Sequence, residues 1–185
     1  MTDSTHADPD ATPAAHSRRE THPGVSTLVL LGFVLLAVGI GMGGALSTSG
    51  AVTGWYADAA KPAWTPPNIV FGPVWTALYL MMAVAAWLVW RRRHEADVRP
   101  ALLAYFAQLL LNALWTPVFF GLYPVLGTTA LWLSFAIIVA LFLAVLFTIL
   151  RFWPLHRMAA VLLMPYLAWV AYAASLNVAI AAYAS

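Results

Sequence analysis

The sequence predicts an all-α membrane protein, a five transmembrane helix bundle, on three observations. Of 185 residues, 63% are hydrophobic and 9% charged, whereas a soluble domain is nearer half apolar and about a quarter charged. The charges leave long empty stretches, among them 62–90, 100–150 and 158–185. Each has room for one or two runs of the roughly 20 residues that cross a bilayer core. The basic residues sit at the edges of these stretches, as membrane-flanking charge does. The formal net charge of +2 is therefore no footprint for nucleic acid.

The elements follow in order. Residues 1–24 carry almost no large apolar side chain and predict a disordered polar N-terminal tail. Ser17-Arg18-Arg19 is not followed promptly by an apolar run, so it reads as flanking charge and not as an export signal. The transmembrane domain takes 25–185, with spans at about 25–46, 69–90, 101–120, 127–152 and 156–182. The first apolar stretch exceeds the roughly 7–15 residues of a signal-peptide core and is read as a retained helix. Arg91-Arg92-Arg93-His94 opens a short basic loop, and Gly121-Leu122-Tyr123-Pro124 and Trp153-Pro154 read as tight turns with proline breakers. The long loop, 47–68, holds Trp55, Tyr56, Lys61, Trp64 and three prolines, a composition that argues for order and use.

Counting Lys and Arg gives an orientation. The tail and the loops after the second and fourth spans hold eight arginines, and the other side holds only Lys61. The positive-inside rule then places the N-terminus in the cytoplasm and the long loop and C-terminus outside, with the cytoplasmic membrane as host.

Several chemistries are excluded or unsupported. With no cysteine, there is no disulfide and no thiolate nucleophile. No Asp, Glu, Lys or Arg lies deep in a predicted span, so the coupling residue of an ion-driven transporter is missing, as are paired carboxylates for acid–base catalysis. Histidine spacing does not suggest a zinc site, and no metal is expected. His156, at a helix boundary beside Arg157, reads as a solvated surface residue.

What remains is aromatic and amide. Gln108, Asn112, Trp115 and Phe119 recur at helical spacing and share one stripe of the third span. Phe71, Trp75, Tyr79 and Met82 do the same in the second, and Pro165, Trp169, Leu176 and Asn177 lie on or near one face of the fifth. Amides in hydrocarbon need partners, so the third stripe faces either other helices or a cavity; the spacing leaves both open. Trp90 and Trp153 read as interfacial belt residues, and Trp87 and Trp132 as lipid-facing. Gly39 and Gly43 form a GxxxG in the first span, a pattern that allows close helix approach.

Three blocks carry a resemblance. The first is Trp55-Tyr56, Lys61-Pro62-Ala63-Trp64-Thr65-Pro66-Pro67 and Phe71-Gly72-Pro73-Val74-Trp75-Thr76-Ala77-Leu78-Tyr79. The second is Gln108 to Phe120, and the third is Pro165-Tyr166-Leu167-Ala168-Trp169 with Leu176-Asn177. In order and separation they resemble the tryptophan-rich sensory protein / translocator protein family, over about residues 25–185. The resemblance implies a five-helix bundle whose pocket opens toward the first loop, with that loop as a lid. It also implies a homodimer and a receptor or sensor for porphyrins such as protoporphyrin IX and haem, held as ligand with no intrinsic cofactor. By motif position, Trp64, Phe71, Trp75, Tyr79, Asn112, Trp115 and Trp169 would line the pocket. Trp75 and Trp169 match residues with which some members degrade protoporphyrin IX in light, so an enzyme is an alternative; a tetrapyrrole transporter is another. A broad flat ring suits aromatic walls, and Lys61 or an interfacial Arg would pair with a propionate. Ile69 replaces an aromatic residue of several bacterial members, which predicts one less aromatic wall. No basic residue follows Tyr166, Tyr172 or Tyr183, which ranks sterol behind porphyrin.

Overall fold

The computed structural model describes residues 23–185, and everything below concerns these. The expectation for 1–24 lies outside the described residues except at Pro23 and Gly24, which open the first helix. Five long helices are apolar enough to cross a membrane: α1 Pro23–Thr53, α3 Asn68–Trp90, α4 Arg99–Thr116, α6 Thr128–Phe152 and α7 Arg157–Ala184. Two short ones, α2 Trp55–Asp58 and α5 Tyr123–Leu126, lie in connections. The five long helices form a ring in the order α1, α3, α7, α6, α4, closing back on α1.

Solvent exposure argues for lipid. Leu28, Leu35, Leu46, Leu103, Leu110 and Leu150 are each more than 60% exposed, on helices that are otherwise packed. Scattered apolar residues are ordinary on a soluble surface, but apolar belts on every long helix are a match for hydrocarbon. Inside, the alanines Ala83, Ala86, Ala101, Ala159 and Ala160 of α3, α4 and α7 are all buried with the larger Met82, Tyr105 and Tyr166.

The first helix departs from the predicted 25–46. It continues to Thr53, so the connection begins some seven residues later than the polar composition of 47–53 suggests. The hydroxyls of this stretch are satisfied by the helix itself. Ser47 and Thr48 donate to the Gly44 carbonyl at 2.9 and 2.8 Å, and Thr53 donates to Ser49 at 3.2 Å. Side chains that bond back to their own helix can leave the hydrocarbon without ending it. The helix ends at Gly54, whose N–H bonds the Gly50 carbonyl.

One predicted turn also needs correcting, while the turn at Trp153-Pro154 is found as expected. Pro124 does not break a turn but sits in the first turn of α5, where its missing N–H costs nothing. Gly127 follows at φ 55°, a backbone that favours glycine, and starts α6. Pro117 ends the regular part of α4, and the chain runs on as one π turn, Pro117–Gly121. His156 is not merely solvated. It is the N-cap of α7, its Nδ1 accepting the Ala159 N–H at 3.3 Å.

Candidate functional site

The centre of the ring is an amide held by two phenols. Asn112 of α4 is 1% exposed. Its Oδ1 accepts from the Tyr79 hydroxyl of α3 at 2.8 Å, and its Nδ2 donates to the Tyr166 oxygen of α7 at 2.8 Å. Three helices are thus joined through one side chain, as the amide's need for partners in hydrocarbon requires. A second amide does the same one layer toward the loop end. Asn177 of α7 accepts from Trp115 Nε1 at 3.0 Å and donates to the Leu131 carbonyl of α6 at 3.0 Å, with Ser134 Oγ 3.1 Å away.

An aromatic group lies between the Asn112 bridge and the long connection. Trp75 stacks on Tyr79 with ring centres 5.4 Å apart. Trp169 stands edge-on to Trp75 at 6.4 Å and to Phe71 at 5.8 Å. Burial along α3 is graded: Phe71 and Trp75 are half-buried, then Tyr79 and Met82 are buried. The stripe therefore runs from rim to core, with its open end toward the connection. Trp169 Nε1 is buried and has no acceptor among the described residues, an arrangement that costs free energy.

The connection is tied down over this group. The Tyr172 hydroxyl donates to the Trp64 carbonyl at 2.6 Å, and the Tyr172 ring lies 5.4 Å from Trp169. Thr65 Oγ1, next in the chain, is buried without a partner among the described residues. Burial first, and then the nearby Tyr172, push the Tyr56 phenol above its ordinary value. On the other flank Trp55 Nε1 donates to the Phe120 carbonyl at 2.9 Å, and its ring stacks on Tyr123 at 4.0 Å. The π turn after Pro117 presents that carbonyl, so proline and tryptophan together anchor α2.

The residues expected to line a pocket fall into three groups. Phe71, Trp75, Tyr79, Asn112 and Trp169 form one connected cluster. Trp115 is adjacent on α4 but stacks on Phe119 at 5.5 Å and bonds Asn177. Trp64 lies on the surface, 53% exposed, and joins the group through its carbonyl. Ile69 is 82% exposed and points away from the bundle, so the expectation that it weakens a pocket wall is corrected. Lys61 Nζ bonds the Ala57 carbonyl at 2.8 Å and lies over the Tyr56 ring. Trp87, expected to face lipid, donates to the Ser26 carbonyl at 3.0 Å and ties α3 to α1. Sequence reasoning did not assign Tyr166 or Tyr172 to the site. The available signal was their spacing, three residues either side of Trp169, which places all three near one helix face.

Fold and site together define an integral multi-pass membrane protein whose five spans enclose a tryptophan-rich, amide-bridged interior. A model of the TspO/MBR family matches residues 33–183. The tryptophan-rich protein TspO of Archaeoglobus fulgidus is 38% identical over 157 residues, covering 84% of this chain and 97% of that protein. The tryptophan-rich sensory protein of Cereibacter sphaeroides is 41% identical over 137 residues, covering 72% and 81%. The human translocator protein is 39% identical over 128 residues, covering 66% and 70%. The chain belongs to the TspO/MBR family.

Proposed function

We propose that the protein is a membrane receptor or sensor that binds porphyrins, protoporphyrin IX or haem, in the aromatic cluster beneath the long connection. The observation that carries this reading is the unpartnered Trp169 Nε1, buried between Phe71, Trp75 and Tyr172. A ligand acceptor there would relieve the cost of the orphaned donor, while the rings offer flat apolar contact to a macrocycle. Entry requires Phe71 and Trp169 to part and the Tyr172–Trp64 bond to open. The protein supplies stacking and one hydrogen-bond donor; no side chain acts as acid, base or nucleophile.

Titrating the detergent-purified protein with protoporphyrin IX in the dark, followed by tryptophan quenching, tests this. Saturable one-to-one quenching is expected, with affinity about tenfold lower in Trp169→Phe, which keeps most of the ring area and loses the donor. Absence of saturation would overturn the reading. A second reading, light-dependent degradation of the porphyrin, draws support from the perpendicular Trp75–Trp169 pair at 6.4 Å. It predicts pigment loss on illumination that Trp75→Phe and Trp169→Phe each abolish; equal loss in the variants would sink it.

The same proposal extends to setting. The N-terminus lies in the cytoplasm, the long connection and C-terminus outside, and the host is the cytoplasmic membrane. The alternation of five spans supports that orientation, because it brings Arg91, Arg92, Arg93, Arg99, Arg151 and Arg157 to one end and Lys61 to the other. The family resemblance suggests a homodimer, and a β-carbon on Gly39 or Gly43 would meet no neighbour within 4 Å. These two glycines therefore face outward and are free to pack on a second copy.

A further inference from the structure

The arginine-rich end of the bundle contains a feature unrelated to the aromatic cluster. An open-sided cavity of about 400 Å³ lies between the end of α3 and the α6–α7 turn, lined by Arg92, Trp153, Leu155, His156 and Arg157 among others. The arginines around it are not equivalent. Arg91, Arg93 and Arg151 lie over the rings of Trp87, Trp90 and Phe147, where cation–π attraction occupies them. Arg92 and Arg157 line the cavity instead. Glu95 pairs with Arg92 through Nη1, and the other guanidinium donors have no partner among the described residues.

The backbone favours the same charge. The cavity includes the first residues of α7, whose Arg157 and Met158 N–H groups have no acceptor among the described residues, so the positive end of a 28-residue helix faces it. At the opposing end of α6 the turn satisfies part of the carbonyl charge, the Phe152 carbonyl accepting from both Leu155 and His156. With His156 Nδ1 accepting from Ala159, the hydrogen of a neutral ring lies on Nε2, a further donor. Trp153, 44% exposed, has the character of an interfacial anchor, which sets the cavity at headgroup depth.

We propose that this cavity binds a phosphate monoanion or dianion, clamped by the Arg92 and Arg157 guanidinium groups and the first turn of α7. A phospholipid headgroup and free phosphate share that chemistry, and the cavity's depth favours the headgroup. Binding would be independent of porphyrin.

Native mass spectrometry of the full chain tests it, with the protein released from micelles holding equal phosphatidylglycerol and phosphatidylcholine. Wild type should retain phosphatidylglycerol selectively. Arg92→Gln/Arg157→Gln should lower that retention about tenfold, from the loss of the charge-assisted guanidinium–phosphate hydrogen bonds. Arg91→Gln/Arg151→Gln should leave it within about twofold. Glu95→Gln should raise it by releasing Arg92, a gain that misfolding cannot mimic. Displacement of the lipid by millimolar inorganic phosphate would keep the clamp and make free phosphate its ligand. Equal losses in the two double variants, or no loss in either, would overturn the proposal in favour of diffuse surface charge.

Discussion

Two buried amides on one helix face behave oppositely. Asn112 has both polar ends bonded to phenols. Gln108, one turn away and 1% exposed, has only a 3.9 Å approach of Nε2 to the Met82 sulfur, and its Oε1 has no partner. Truncating the first leaves two buried hydroxyls stranded; replacing the second removes an orphan. Asn112→Leu should lower stability by about 1–2 kcal/mol, the upper range for interhelical hydrogen bonds in membranes. Gln108→Met should leave it unchanged or raise it. Thermal unfolding in one detergent checks both, and an equal loss would show that the two amides are equivalent. The sequence placed both on one stripe but could not rank them. Ranking depends on Tyr79 and Tyr166, which approach from helices distant in sequence.

At the scale of elements, α1 and the connection after it were the least legible. The apolar run ends at Leu46, yet the helix continues seven residues further, with the hydroxyls of Ser47, Thr48 and Thr53 bonded back to it. The glycines of α1 were equally ambiguous. Gly39 and Gly43 drew attention as a motif, but Gly41 and Gly44 make the contacts within the bundle. A β-carbon at Gly41 would overlap the Tyr79 ring, and one at Gly44 would lie 3.3 Å from Thr116 Cγ2. Gly41→Leu should therefore displace Tyr79 and lower both thermal stability and porphyrin affinity, whereas Gly39→Leu should alter neither in the monomer. Tyr172 sets the position of the connection through one hydrogen bond to Trp64. Tyr172→Phe should raise the rate of chymotryptic cleavage after the exposed Trp64 several-fold without shifting the unfolding temperature. An unchanged rate would mean that α2 and its Trp55 anchor suffice to hold the chain.

For the whole molecule, what was legible and what was not divides by range. Composition and spacing set five spans, and the stripes on α3 and α4 pointed to the interior because hydrocarbon leaves polar groups few other places. Ring order was not legible, and with it went the pairing of Tyr166 with Asn112 and of Trp87 with Ser26. Orientation is the remaining property of the whole chain, and the absence of cysteine makes it directly measurable. Ala60 in the long connection and Ala96 in the basic loop are both exposed and lie at opposite ends of the bundle. The asymmetry of six arginines against one lysine across those ends is the force that would fix topology during insertion. Ala60→Cys should react with a membrane-impermeant maleimide on intact cells, and Ala96→Cys only after permeabilisation. The reverse pattern would place the aromatic cluster's open end on the cytoplasmic side, so that porphyrin would reach it from within the cell and the arginine cavity would face the outer leaflet. Labelling of both on intact cells would mean that the charge asymmetry does not fix a single topology.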